Sequence, residues 1–218
     1  ARTADEGQTD RPLDGLSLFF TDLDRSKVEI REIDKMGRKC VDSNQLFFDG
    51  MEIPLEDRIG EEGKGFRYLL HGINPERILI AAGMVGLGRA ALQKATDYAK
   101  QRIVFDRPIG MNQAIQHPLA KNWAELEATN LMAFRAAQLY DRGEDCGAMA
   151  NAAKYLAGEA AVDACNNAIL THGGMGYAKE YHVERYLREA IIHRIAPITP
   201  HLALCYLAER VLGLPKSY

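Results

Sequence analysis

The sequence predicts a mainly α protein, a C-terminal four-helix-type bundle preceded by a remnant of a β domain. Three observations predict it. Over the first 60 residues, apolar side chains come in short runs with near-alternation; after Gly65 they recur at steps of three and four. Three successive stretches hold the helical step long enough to make long helices. The connections between those stretches are short, which favours antiparallel neighbours.

Residues 16–20, 28–33 and 44–48 are the expected strands, separated by Asp, Gly, Ser and Arg. Val28, Ile30 and Ile33 stand among charges, as on a half-buried ladder. Gly60 and Gly63 close this section. Alone, so small a cluster leaves an open edge and an uncovered face, so it is expected to belong to a larger sheet. The first helix is expected to start near 63–66, with Ile80, Met84, Leu87, Ala91, Ala95 and Tyr98 as its apolar stripe. Leu119, Trp123 and Leu126 begin the stripe of a second, which Asp141-Arg142-Gly143 ends. A third spans about 148–171, where Ala153, Ala157, Ala160, Ala164 and Ala168 permit close helix contact and Gly173-Gly174 stops the chain. A short helix at 183–188 and a last one carrying Leu204, Leu207 and Val211 complete the set. The expected division is a partial β domain at 1–60 and a helical bundle at 61–218.

Composition narrows the function. A net charge of −3 gives no basic field, so nucleic acid is not an expected partner. No run of about eighteen apolar residues is present, so no membrane span is expected. Cys40, Cys146, Cys165 and Cys205 form no C-x-x-C pair; they read as buried thiols rather than a disulfide framework, and no metal site is expected. His172 and His193 read as structural histidines near apolar helix ends.

Six ordered segments carry further information: Lys35-Met36-Gly37; Ile53-Pro54-Leu55-Glu56-Asp57 with Gly60-Glu61-Glu62-Gly63-Lys64-Gly65-Phe66; Pro75-Glu76-Arg77; residues 101–109 with Gln113; His172-Gly173-Gly174-Met175-Gly176-Tyr177; and residues 180–189. In this order and spacing the chain resembles the acyl-CoA dehydrogenase family, from the late β domain to the C-terminus. The resemblance implies an FAD enzyme that oxidises the Cα–Cβ bond of an acyl-CoA thioester. It further implies electron-transfer flavoprotein as acceptor, a homotetramer or dimer of dimers, and a bacterial cytoplasmic or mitochondrial matrix setting. The family's front half, including its Trp-Ile-Thr flavin-contacting strand, is expected to lie upstream of Ala1.

Such chemistry needs a carboxylate near the α-carbon and a donor for the thioester carbonyl. The family's commoner base lies in a Tyr-Glu-Gly-Thr stretch, which here reads Ala196-Pro197-Ile198-Thr199. Pro197 can be neither the base nor a backbone N–H donor. The neighbouring Ile198 amide takes over, or the oxyanion donor is lost. The other position the family uses for the base falls on Glu76, with Arg77 beside it as a substrate-binding residue. Read without the resemblance, Glu76 is a first-turn glutamate after Pro75, favoured by the helix dipole.

The resemblance also places Arg102, Phe105, Ile109 and Gln113 on the bundle segment that reaches a neighbouring subunit's FAD, gives Gly173 and Gly174 a close backbone approach to the dinucleotide, and puts Thr199 near the flavin. The bland readings are a helix-end cation for Arg102, plain core for Phe105 and a C-cap for the glycines. Two other readings stay open. One is a flavin monooxygenase or nitroalkane-oxidase-like enzyme on the same fold; the other is a paired subunit that completes a partner's FAD site without its own base.

Overall fold

The computed structural model describes residues 1–5, 7 and 9–217. They form two compact units, Ala1–Ile73 and Asn74–Tyr218. The boundary falls inside a long helix, whereas the change in sequence texture lies near residue 60.

The first unit holds β1 (Leu18–Phe19), β2 (Val28–Glu32), β3 (Asn44–Phe48) and β4 (Arg58–Ile59). β1 pairs antiparallel with β4, and β2 with β3 in the register Val28↔Phe48. The second ladder is thinly covered: Val28 is buried, but Leu46, Phe47 and Phe48 are exposed. The expected run at 16–20 shrinks to two paired residues. The start of α1 (Gly65–Gln101) is tied to the segment just before β1, the Gly65 N–H donating to the Leu16 carbonyl at 2.8 Å. A Cβ at Gly65 would meet the Leu18 nitrogen at 2.5 Å, so only glycine fits there.

α1 does not start at Pro75. It runs through that proline, so Glu76 is an interior residue rather than a first-turn one, and the helix-dipole reading of it does not hold. Pro75 offers no N–H, so the carbonyl four residues earlier lacks its helical donor. After α1 comes a hairpin of β5 (Ile103–Val104) and β6 (Arg107–Pro108), followed by α2 (Gln113–Asp141), α3 (Gly147–His172), α4 (Val183–Ile195) and α5 (Pro200–Arg210).

In the second unit the core runs between helices as layers of small residues. Ala81 and Met84 meet Ala133, Ala153, Ala157 and Ala161; further along, Ala91 and Ala95 meet Cys165, Ala168, Val183 and Ala190. Ile78 clusters with Leu139 and Ala150, so α2 runs antiparallel to both α1 and α3. All five alanines expected on α3 are 6% exposed or less. They let backbones approach: a Cβ at Gly88 would meet Leu126 Cδ2 at 2.6 Å and Ala161 Cα at 3.3 Å. α1 is also long and apolar enough to cross a membrane by length and composition, but its buried stripe belongs to this core.

Two stripes differ from expectation. On α2 the inward positions are Asn122, Leu126, Thr129, Ala133, Ala136 and Leu139, while Trp123 is 60% exposed. Hydropathy misplaces this stripe because Asn122 is buried through hydrogen bonds, donating to Asp163 at 2.7 Å and accepting from Asn167 at 2.9 Å. α5 buries Ala203, whereas Leu204 and Val211 are exposed. Cys146 and Cys165 are buried, but Cys40 is exposed and Cys205 intermediate. Burial pushes the Cys165 thiol up to about 12, so it is not a ready nucleophile.

Candidate functional site

The residues singled out from sequence fall at two ends of the bundle. Glu76 and Gln101 lie on one continuous helix, roughly 38 Å apart at 1.5 Å per residue.

At the first end, Glu76 is exposed and Arg77 is half-buried. Arg77 Nη1 donates to Asn74 Oδ1 at 3.0 Å, while its buried Nε has no hydrogen-bond partner among the described residues. Burial holds the guanidinium below the usual arginine range, partly offset by Tyr206 and Glu76 nearby. The connection from α4 to α5 returns to this end. There Thr199 caps α5, its hydroxyl accepting from the Leu202 N–H at 3.3 Å. The Ala196–Pro197 peptide is cis.

One residue at this end had no part in the sequence reading. Lys154, on α3, is 1% exposed, and its ammonium donates to the carbonyl of Arg194 at 3.1 Å and to that of Ile198. Burial pushes its pKa down, and Arg77 adds a like charge. Its place in the alanine-rich stretch, next to Ala153 and three residues before Ala157, was the only sequence signal.

The second end is built outward. Arg102 leaves α1 with its N–H on the Tyr98 carbonyl at 2.8 Å, and its own carbonyl accepts from the Ile109 N–H at 2.9 Å. Between them β5 and β6 pair as Ile103↔Pro108 and Val104↔Arg107. Phe105 and Asp106 make the turn with φ of 50° and 61°, the two left-handed residues a tight hairpin needs. Neither is glycine, and for a bulky phenylalanine this backbone is unfavourable. Phe105 is 93% exposed, so the core reading of it fails. The hairpin escaped sequence reading because Phe-Asp carries no Gly or Asn turn signal. Gln113 starts α2, and Ile109 begins a 3-10 turn beside it.

α3 brings its own end to the same place. His172 stacks on Tyr98 with ring centroids 4.3 Å apart and meets Tyr181 edge-on at 5.5 Å. Its Nδ1–H donates to the Ala168 carbonyl at 2.7 Å. Gly173 caps the helix at φ 60° and ψ −135°, a conformation only glycine adopts readily. A Cβ on Gly173 or Gly174 would meet nothing within 4 Å, leaving that backbone open to approach. Arg102, Phe105, Ile109, Gln113, Gly173 and Gly174 therefore share one end, whereas Thr199 stands at the other with Glu76 and Arg77.

A family model for the acyl-CoA dehydrogenase C-terminal domain matches residues 63–197. The chain is 45% identical over 176 residues to acyl-CoA dehydrogenase FadE12 of Mycobacterium tuberculosis, covering 80% of this chain and 45% of the relative. It superposes on a glutaryl-CoA dehydrogenase bound to glutaryl-CoA with a TM-score of 0.88 and 32% identity, covering 94% of this chain and 53% of that one. A structure described as PigA with FAD and proline gives a TM-score of 0.89 at 29% identity, covering 94% and 54%. The chain thus spans about half the length of the relatives it matches.

Proposed function

Because the chain belongs to the acyl-CoA dehydrogenase family, we propose that it carries the base end of an FAD-dependent α,β-dehydrogenation of an acyl-CoA thioester, with Glu76 as the base. The observation that carries this reading is the placement of Glu76 and Arg77 at one end of the bundle, where the α4–α5 connection returns, with Arg102, Phe105 and Gly173-Gly174 at the other. A carboxylate held at the α-carbon of a bound thioester can accept its proton, and a guanidinium beside it can hold the thioester's polar groups. The Glu76 carboxylate accepts the α-proton, and Arg77, whose Nε–H has no partner among the described residues, holds the acyl-CoA next to it. Bound flavin supplies the acceptor for the hydride that leaves the β-carbon.

The outward end fits a dinucleotide. Arg102 offers a donor fork for pyrophosphate, Phe105 an unburied ring for a base to stack on, and Gly173-Gly174 a backbone without side chains in the way. Its distance from Glu76 supports these residues serving the cofactor of a neighbouring copy, with Thr199 serving the flavin on its own subunit. The proposed assembly is accordingly a homotetramer or dimer of dimers, with electron-transfer flavoprotein as the acceptor.

Anaerobic titration of the holoenzyme with acyl-CoAs of varied shape tests the reading. Bleaching of the flavin by an acyl-CoA is the expected result. Turnover that requires oxygen, without anaerobic bleaching, would overturn it in favour of a monooxygenase-type reaction.

A further inference from the structure

Lys154 is hard to explain as a packing residue. A lysine is rarely buried without a carboxylate partner, because removing an ammonium from water is costly. Here the acceptors are two carbonyl oxygens, those of Arg194 and Ile198, at either end of the segment that carries Pro197. The same segment is pressed onto α3 from two further points. Arg194 pairs with Glu159 through two bonds of 2.7 and 2.8 Å, and a Cβ on Gly158 would stand 3.1 Å from Arg194 Cα. Lys154, Gly158 and Glu159 thus form one surface of α3 that fixes this connection.

The Ile198 carbonyl belongs to the same planar peptide as the Thr199 N–H, and across a trans peptide the two point in opposite directions. With the carbonyl on the ammonium, the N–H is turned away from Lys154. An amide whose carbonyl accepts from a cation is polarised, which makes its N–H a stronger donor. Residue 197 is proline and has no N–H to give.

We infer that Lys154 is a positioning residue, which locks and polarises the Ile198–Thr199 peptide so that the Thr199 N–H, rather than residue 197 or the Ile198 amide, donates to the thioester carbonyl. The inference rests on the dehydrogenase reading above. As the α-proton goes to Glu76, negative charge grows on the thioester oxygen, where a fixed donor lowers the barrier.

Thr199 has φ of −71°, which proline adopts without change, so Thr199→Pro deletes the N–H while keeping the backbone. Thr199→Ala is its reference, because both lose the capping hydroxyl. In anaerobic stopped-flow with the holoenzyme, Thr199→Pro should reduce its flavin about 10²-fold more slowly than Thr199→Ala, the usual scale for losing one oxyanion donor. Lys154→Met should slow reduction about tenfold or more, as a displaced donor does. It should also speed hydrogen exchange of the Thr199 amide without changing flavin occupancy. Equal rates for Thr199→Pro and Thr199→Ala overturn the donor assignment, and unchanged Thr199 exchange in Lys154→Met overturns the positioning role. If Lys154→Met and Lys154→Gln both fail to fold, Lys154 serves the fold as a whole and the positioning role falls, while the proline comparison still decides the donor. Failure of the dehydrogenase reading itself would show separately, as an unmodified holoenzyme that no acyl-CoA bleaches.

Discussion

The two ends of the bundle solve opposite problems with the same helices. At one, polar groups turn inward: Lys154 is 1% exposed and Arg77 keeps a buried Nε with no partner among the described residues. At the other, large side chains turn outward: Phe105, 93% exposed, on a hairpin whose turn residues are left-handed, and Tyr177, 88% exposed, in the 3-10 turn that follows α3. An inward site needs desolvation to do chemistry, whereas an outward one makes sense as half of a surface that something else completes. Damage at the first end should therefore appear in rates, and damage at the second in cofactor retention.

The sharpest break of that contrast is Glu76→Gln. Glutamine keeps the size but cannot accept the α-proton, so flavin reduction by acyl-CoA should fall by roughly two or more orders of magnitude, with flavin content unchanged. Stopped-flow absorbance measures both. Reduction at the unmodified rate would mean that Glu76 is only an exposed helix residue.

Phe105→Gly probes the other end. Glycine accepts φ of 50° at no steric cost, so the hairpin should hold to within about 1 kcal/mol in thermal unfolding. FAD affinity should still drop about tenfold, the scale of one aromatic contact. Equilibrium dialysis against free FAD reads the change, and unchanged affinity would remove Phe105 from the cofactor site.

Between the ends lies the close-packed middle. Gly88→Val should destabilise the fold by about 1–3 kcal/mol, because its Cβ would already strike Leu126. A fall in the denaturant midpoint with similar specific activity in the folded fraction would show that the middle serves both ends equally.

The smallest effect concerns His172. Burial lowers its pKa, with the Ala168 carbonyl opposing and Lys94 adding to the shift. The unfolded chain then takes up its proton first as pH falls. Its contribution to stability is full above the ordinary histidine range and is lost as pH drops through that range toward the lowered folded value. His172→Phe keeps a ring against Tyr98 and cannot titrate, so its Tm should vary less between pH 7 and pH 5 than that of the unmodified protein.

Much of this was legible in the sequence. The helical step after Gly65, the alanine stripe of α3 and the glycine that caps it are local properties, set by periodicity and by backbone freedom. The segments spelling out the family marked Arg102, Phe105, Ile109, Gln113, Gly173, Gly174 and Thr199 for the cofactor; the first six share one end of the bundle, whereas Thr199 stands at the other. What the sequence could not supply was direction. Trp123 faces solvent because Asn122 found Asp163 and Asn167 across the helix interface, and no hydropathy scale contains that partner. Glu76 is interior to its helix because α1 tolerates Pro75. Lys154 is buried because the carbonyls of Arg194 and Ile198, some forty residues on, come round to meet it. Periodicity is a property of neighbours along the chain and can be read from them. The burial of a polar group is decided by the partner that satisfies it, and only the packed tertiary structure brings that partner within reach.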